Sequence, residues 1–404
     1  MRGVIGSALV GLLSLTAVQT FADDGDQAPK TPKKWTVLVY INGNNNLDSF
    51  GSLNINQMEQ IGSSADVNVL VEWASKSKGE TNRLLVKKDN DNNMVTSPIV
   101  QKLGKVDMGD YKTVVDFVKW GVANYPAEHY MVDIWDHGSG WHLNRGEFHP
   151  ADISWDDNTG HHITTAELAV AMKESAAIIG HKVDIYASDA CLMAMAEIAQ
   201  EMADSVAVFA GSEETEPGEG WSYADFLRPV VAKPTATPIE VSQMLSKSYL
   251  DAYNGGIYGH QDVTFSAFDL SQMPAYLTAV KDLGAALNKL SMADKKKVIA
   301  AISNSENFTY SDYVDVADFL SVLQSANITA MDSEAVASLK KATSSLVVYG
   351  MGLGQHSKAK GLSMWIPASS YAYTQYADRY SKLKFDMATG WGMVLKNLLA
   401  ASDE

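Results

Sequence analysis

The chain of 404 residues contains a single cysteine, Cys191. No intramolecular disulfide can form, which excludes a fold held together by disulfide bonds. Basic residues are also scarce: 32 Lys and Arg stand against 48 Asp and Glu, and the formal net charge is −16. A surface this acidic repels phosphate, so nucleic acid is not expected as a partner. Hydrophobic residues still make up 46 % of the sequence, enough for a large core.

Only the N-terminus carries a long uncharged apolar run. Residues 1–22 have one charge, at Arg2, and end in small residues at the −3 and −1 positions of a cleavable bond. This pattern predicts a signal peptide, and hence export to the periplasm or the medium without a membrane anchor after its removal. A membrane anchor is the alternative, but the run is short for a span. Residues 23–34, rich in Asp, Pro and Lys, are expected to form a disordered leader.

From residue 35 onward, patterns typical of strands and helices alternate along the chain. Continuous β-branched and apolar runs predict buried parallel strands, and stretches with helical spacing separate them. The alternation predicts an α/β fold: an α/β/α sandwich with a mostly parallel central sheet and a helix-rich C-terminal portion. One domain is expected over 35–404, with a candidate helical lobe at about 270–345. Strands are predicted at 36–41, 67–73, 84–88, 94–100, 129–135, 183–187, 206–210, 263–268, 346–349 and 362–366, and helices at 47–61, 111–123, 164–178 and 192–203.

Two of the predicted strands run directly into reactive residues. His137 follows strand 129–135 in a His-Gly-Ser-Gly segment, whose glycines allow a sharp turn. Cys191 follows strand 183–187 and is expected at the start of helix 192–203, where the helix dipole would lower the pKa of the thiol. Functional groups gather past the carboxyl ends of parallel strands, so the sequence predicts a nucleophilic thiol with an imidazole as proton shuttle. An inert buried cysteine is the alternative.

The order and spacing of the two residues narrow the class of enzyme. The cysteine follows the histidine by 54 residues, and caspases place their histidine about 50 residues before the cysteine. Residues 189–193, Asp-Ala-Cys-Leu-Met, differ from the local caspase motif. Together with residues 35–47 and 136–141, they resemble the clostripain family of cysteine peptidases, secreted relatives of caspases, legumain and gingipains. The resemblance covers roughly residues 35–225.

The resemblance implies a caspase-like fold and a secreted endopeptidase that forms a thioester on Cys191, with His137 as proton shuttle. Family members cleave after Arg or Lys, and Asp189 matches the position whose carboxylate meets that P1 side chain. A buried carboxylate next to the nucleophile is also suited to a guanidinium on chemical grounds. The alternative for this residue is a cap on helix 192–203. The backbone N–H groups of Gly138 and Cys191 are the candidate oxyanion donors.

Residues 214–221 also resemble a family segment that lines the substrate cleft. Glu216, Glu219 and Trp221 are therefore candidate cleft residues, although a solvated acidic loop is the alternative for the glutamates.

Family members often mature by a cut between the histidine and cysteine strands. Arg145 is the candidate self-cleavage point, with Lys173 and Lys182 as alternatives. Some members need Ca²⁺. The acidic run at 89–93 lacks the Gly and Glu of an EF-hand and predicts a plain turn, so no cofactor is firmly required.

Three other functions fit parts of the sequence. A zinc hydrolase would use the six histidines between residues 129 and 162, but no H-E-x-x-H motif occurs and one cysteine excludes a cysteine-rich site. A serine hydrolase would use Ser139, which lacks the G-x-S-x-G context. A catalytically inactive secreted binder of basic peptides is the alternative from another class. The favoured partners are protein or peptide substrates with Arg or Lys at P1.

Overall fold

The computed structural model describes residues 31–142 and 152–402, together with Gly3. The predicted signal peptide, apart from Gly3, most of the predicted leader and the candidate cleavage point Arg145 lie outside the described residues. Within them, no helix combines the length and apolar character needed to cross a bilayer.

Strands and helices alternate through the first 270 residues, and helices dominate the rest. The strands in the described ranges are β1 (Lys33–Gly43), β2 (Val67–Ser75), β3 (Glu80–Leu85), β4 (Ile99–Gly104), β5 (Ala127–Trp135), β6 (Ile153–Asp156), β7 (His161–Ile163), β8 (Val183–Asp189), β9 (Val206–Gly211), β10 (Asn254–Gly256), β11 (Gly259–His260), β12 (Thr264–Asp269), β13 (Tyr313–Asp315), β14 (Val347–Gly352) and β15 (Ser363–Trp365). The α-helices there are α1 (Asp48–Glu59), α2 (Tyr111–Asn124), α3 (Thr165–Ile179), α4 (Ala196–Met202), α5 (Tyr223–Ala232), α6 (Pro238–Tyr253), α7 (Met273–Asn288), α8 (Met292–Ser303), α9 (Val316–Ser325), α10 (Ser333–Leu346), α11 (Ser370–Tyr380), α12 (Lys384–Thr389) and α13 (Trp391–Leu399).

Nine of these strands form one sheet, in the order β14-β12-β9-β8-β5-β1-β2-β3-β4. The five central strands, from β9 to β2, pair in parallel, and the strands at both edges pair antiparallel. The predicted α/β sandwich with a mostly parallel centre is therefore confirmed.

Hydrophobic cores cover both faces of the sheet. In β1, Leu38 and Tyr40 pack into the core beneath α2, α3 and the C-terminal helices, while Val37 and Ile41 pack into the core beneath α1, α5 and α6. Burial on both faces explains why the central strands appear in the sequence as unbroken apolar runs.

The strand register brings the predicted reactive residues to one edge of the sheet. Strands β5 and β8 are parallel neighbours, and Trp135 lies opposite Asp189. His137 and Cys191 each come two residues after one of these paired positions, so both leave the sheet at the same level. Strand β1 lies on the other side of β5 and sends its Asn-rich turn to the same edge.

The connection after β8 differs from the prediction. A helix was expected at 192–203, but α4 begins only at Ala196, and Leu192 has a left-handed backbone with φ of 65°. The N–H groups of Leu192 and Ala194 donate to the carbonyls of Glu214 and Ser212 instead of starting a helix. Cys191 therefore lies in a turn that pairs with the segment after β9.

Smaller differences concern strand limits. Strand β1 begins at Lys33, inside the predicted leader. The antiparallel pair β3 and β4 spans 80–85 and 99–104, where strands at 84–88 and 94–100 were expected.

In the candidate lobe at 270–345, helices α7 to α10 bury residues such as Leu283 and Leu339 in the same core as the sheet.

Candidate active site

The turn after β5 is fixed by backbone pairing with the segment before β6. The carbonyl of His137 accepts from the Ser154 N–H at 3.3 Å, and the Ser139 N–H donates to the Asp152 carbonyl at 2.9 Å. The His137 ring is half-buried, and its Nε2 lies 2.7 Å from Oδ1 of Asn46. The imidazole is thus held from the side of β1.

Gly138 brings the histidine turn against the cysteine turn. A Cβ placed on Gly138 would lie 2.5 Å from the carbonyl oxygen of Cys191 and 3.1 Å from Cβ of Ala190. Only glycine permits so close an approach of the two backbones. The structure therefore brings the His137 and Cys191 segments into direct contact.

The Asn-rich turn after β1 supports the histidine from beneath. Asp136, next to His137, accepts from Nδ2 of Asn45 at 2.6 Å and from Nδ2 of Asn42 at 3.0 Å. Burial raises the pKa of the Asp136 carboxyl well above its usual range. No role in the site was predicted for residues 42–46. Their signal was the position: asparagines at the carboxyl end of a central strand.

Cys191 is half-buried and faces the segment after β9. Its Sγ accepts a hydrogen bond from the Glu216 N–H at 3.2 Å. The expected lowering of the thiol pKa by a helix dipole is wrong, because α4 starts five residues later. Burial, followed by the charges of Glu214 and Asp189, raises the pKa of the thiol to about 11. In this state the thiol is neutral near pH 7.

Asp189 forms the floor of an acidic cluster, 5 % exposed. Its carboxyl accepts from the Tyr223 hydroxyl at 2.9 Å and the Trp221 N–H at 3.4 Å. The same hydroxyl lies 2.7 Å from Oδ2 of Asp133. One hydroxyl has one proton and cannot donate to both carboxylates at once, so the cluster favours an additional proton or a cation. Because α4 begins at Ala196, capping does not explain Asp189.

Glu216 completes this cluster. Its two carboxyl oxygens are buried and receive no N–H or O–H donor from the described residues. They lie near the carboxyl of Asp189, whose negative charge disfavours ionisation of Glu216. Burial raises the pKa of Asp189 to about 7, and burial together with the Asp189 charge raises the pKa of Glu216 well above its usual range.

The other candidate cleft residues contribute through their backbones. Glu219 is half-buried, and its carbonyl accepts from Nδ2 of Asn54 at 2.9 Å. The indole of Trp221 does not line a cleft as predicted, because it is fully buried against Tyr223 and Phe265. Its backbone N–H, not its ring, reaches Asp189.

The backbone N–H groups expected to hold an oxyanion are available. Among the hydrogen bonds of the described residues, none is donated by the N–H of Gly138 or Cys191 to another residue.

The hydroxyl of Ser139, the alternative nucleophile, is buried and donates to the His142 carbonyl at 3.2 Å. His142 is itself buried among aromatic rings, and burial lowers its pKa to about 3.

Residues 31–142 and 152–402 contain no group of three or more His, Cys, Asp or Glu side chains placed to hold a metal ion. The zinc alternative gains no support from this part of the chain. The Ca²⁺ requirement stays a prediction.

Comparison with known proteins connects this geometry to a family. The sequence profile of the clostripain family, C11, matches residues 39–397. A search of curated proteins gives no significant match. A secreted C11 cysteine protease from Bacteroides thetaiotaomicron, solved with an irreversible peptide inhibitor, is 21 % identical, with 89 % of this chain and 99 % of that chain covered at a TM-score of 0.68. An inactive zymogen C11 protease from Parabacteroides distasonis is 17 % identical over the same shares, at a TM-score of 0.67. At these identities the two structures establish the shared, caspase-like fold.

Proposed function

Because this chain belongs to the clostripain family of cysteine peptidases, we propose that it is an exported endopeptidase that cleaves peptide bonds after Arg or Lys. Cys191 is the nucleophile and His137 the proton shuttle. The observation that carries the proposal is the buried carboxyl pair of Asp189 and Glu216 beside the Cys191 thiol.

This carboxyl pair supports selection of a basic P1 side chain. A guanidinium or ammonium group supplies the positive charge that these acids lack, and charge-assisted hydrogen bonds are the strongest of their kind. A neutral P1 side chain would leave these acids without such a partner, at a cost of about 1–3 kcal/mol or more. Gly220 packs against this carboxyl with φ of 61°, and an added Cβ would lie 2.8 Å from Oδ1 of Asp189, so a larger residue would collide with the proposed pocket.

The first half of the reaction forms the acyl-enzyme. The thiol proton passes to His137, and the thiolate attacks the carbonyl carbon after the P1 residue, so that a C–S bond forms and the oxygen becomes negative. The N–H groups of Gly138 and Cys191 stabilise this oxyanion. The C–N bond then breaks as His137 returns the proton to the leaving amine, and a thioester remains.

The second half releases the product. His137 takes a proton from water, the hydroxide attacks the thioester carbonyl, and the C–S bond breaks to give a carboxylic acid and the free thiol after protonation. Asn46 Oδ1 accepts from Nε2–H of His137, which fixes the neutral tautomer with an unprotonated Nδ1. That nitrogen performs both proton transfers.

Export and maturation follow as parts of the same proposal. The predicted signal peptide supports export, and the related Bacteroides protease is described as secreted. Arg145 lies between His142 and Asp152, whose side chains are both buried. Asp152 also binds Arg379 at 2.6 and 2.7 Å, so a cut at Arg145 would leave both new chain ends close to anchored residues.

The proposal is tested with fluorogenic peptides that differ only at P1: Arg, Lys, Asn, Asp and Ala. The matched control is the Cys191→Ala variant, and each assay is run with and without Ca²⁺. Cleavage after Arg and Lys that disappears in the variant is the expected result. Cleavage after Asn or Asp would overturn the role of Asp189. Binding of Arg peptides without any cleavage, in folded protein, would favour the inactive binder instead.

A further inference from the structure

We propose that a cation in the P1 pocket activates the Cys191 nucleophile, and that Glu216 is the positioning residue that couples the pocket to the thiol. The idea deepens the proposed function, since it assumes that Asp189 and Glu216 receive the basic P1 side chain. Its consequence is an enzyme whose thiol becomes reactive only when the correct substrate is bound.

Glu216 contacts both ends of this coupling. The backbone of Glu216 makes two contacts with the sulfur. Its N–H donates to Sγ of Cys191 at 3.2 Å, and the thiol donates to the Glu216 carbonyl oxygen at 3.9 Å. Its side chain lies near the carboxyl of Asp189, and burial together with the Asp189 charge raises the pKa of Glu216. One residue thus contacts the nucleophile through its backbone and lies near the proposed specificity site through its side chain.

The charges around the sulfur oppose ionisation in the empty enzyme. Asp189 precedes Cys191 at the end of β8, Glu214 and Glu216 face it from the segment after β9, and Tyr249 of α6 and Tyr310 before β13 complete the surroundings. All of these groups are acidic or neutral, and His137 is the one base on the facing turn. The pKa of the thiol is accordingly raised, with burial as the largest cause.

A bound guanidinium changes this balance without any further reactant. Above pH 7 Asp189 is largely ionised, since its pKa is about 7, and the cation then neutralises the pocket without displacing a proton. The negative potential at Sγ falls, so the thiol proton moves from sulfur to the imidazole of His137. Peptides with a neutral P1 side chain are therefore expected to bind more weakly and also to leave the Cys191 thiol less reactive.

The single cysteine makes a direct test possible. The intact protein is alkylated with iodoacetamide at pH 8, and labelling of Cys191 is followed by mass spectrometry. Methylguanidine fills the pocket floor with a cation, and N-methylurea is the uncharged control of similar shape. Methylguanidine is expected to accelerate alkylation several-fold, and by about tenfold for each unit by which the thiol pKa falls below 11. N-Methylurea is expected to have no effect, and the Cys191→Ala variant to remain unlabelled.

A pair of variants tests the coupling residue itself. Glu216→Gln keeps the backbone hydrogen bond to sulfur and the shape of the side chain but removes the carboxyl, so a smaller response to methylguanidine is expected. Glu174→Gln, at an exposed site on α3, is the matched control and should behave as the parent protein. If Glu216→Gln does not fold, the two ligands compared on the unmodified chain still decide the question.

The possible results separate this inference from the proposed function. Methylguanidine that inhibits cleavage of Arg peptides competitively but leaves alkylation unchanged, or slows it, overturns the coupling while the peptidase assignment stands. Methylguanidine that neither inhibits nor accelerates, with no cleavage of Arg peptides, overturns the proposed P1 pocket and the coupling with it.

Discussion

At the scale of single residues, the candidate site contains several buried carboxyl groups, which would destabilise an ordinary protein core. Asp189, Glu216 and Asp133 bring three carboxyls to one buried cluster with the hydroxyl of Tyr223 as a shared donor. Such a cluster costs stability unless a proton or a cation relieves it. The proposed function provides such a cation in the P1 side chain of the substrate, which would explain why the arrangement fits a binding site better than a structural core.

Replacement of Asp189 by Asn tests this reading. We expect kcat/KM for Arg peptides to fall by about two orders of magnitude, because a charge-assisted hydrogen bond worth about 1.5–3 kcal/mol is lost. Asp282→Asn, at an exposed site on α7, is the control and should retain activity. Unchanged cleavage after Arg in Asp189→Asn would place the P1 pocket elsewhere.

Asn46 gives a second prediction at this scale. Asn46→Ala removes the acceptor that orients His137, and kcat is expected to fall about 10–100-fold with little change in KM. Asn46→Asp restores an acceptor and should recover much of the rate. Its pH–rate profile should shift to higher pH, since a carboxylate favours the protonated imidazole. Equal rates and profiles for all three proteins would show that Asn46 does not position the ring.

The candidate residues at strand ends could be predicted from the sequence, because His137, Cys191 and Asp189 stand directly after apolar runs. Glu216 was a candidate cleft residue only through the family resemblance, and its position depends on the fold of the segment after β9. Asn46 was not predicted, because it reaches the site through the register of β1, which no local pattern encodes.

At the scale of elements, the turns at the carboxyl edge of the sheet shape the site. The segment after β9 carries the pocket, and Gly220 within it has a left-handed backbone with φ of 61°. Strands were predictable because burial on both faces demands unbroken apolar runs. The late start of the helix predicted at 192–203 could not be foreseen. The N–H groups of Leu192 and Ala194 pair with carbonyls of a distant segment, which a helical pattern does not reveal.

Two glycine variants separate backbone strain from pocket blockage. Gly220→Ala and Gly79→Ala both place alanine at positive φ, at a cost of about 1–2 kcal/mol each. At Gly79 nothing lies within 4 Å of the new Cβ, whereas at Gly220 it lies 2.8 Å from Asp189 Oδ1. Similar losses in melting temperature are expected, but only Gly220→Ala should lose kcat/KM on Arg peptides, by at least about tenfold. Full activity of Gly220→Ala would contradict the location of the pocket.

At the scale of the whole molecule, burial favours the protonated form of several carboxyls. Burial raises the pKa of Glu72, Asp189 and Glu197 to about 7 and that of Asp315 to about 6. In the unfolded chain such groups titrate near 4. The folded protein therefore binds more protons than the unfolded one between these values.

The sign of the pH dependence follows. The free energy of unfolding should fall as the pH rises from about 5 to 7, by up to about 1 kcal/mol per pH unit for each such group, and should level off above the raised pKa values. Carboxyls with lowered pKa, such as Asp48, act below pH 4, whereas the lowered pKa of His142, about 3, offsets about one such group up to about pH 6.5. Urea unfolding of the Cys191→Ala protein at constant ionic strength, from pH 5 to 8, measures it. Stability that is flat or rises over this range would contradict the protonated state of these residues.

The central claim is that Cys191 attacks a carbonyl presented by a basic P1 side chain in the pocket of Asp189. The most direct measurement uses two peptide chloromethyl ketones that are identical except for P1 arginine or its uncharged analogue citrulline. Mass spectrometry follows the labelled residue and the rate. We expect both reagents to alkylate Cys191, the arginine reagent much faster than the citrulline reagent. The difference between the two rates should largely disappear in Asp189→Asn. Equal rates for both reagents on the parent protein, or a label on another residue, would contradict it.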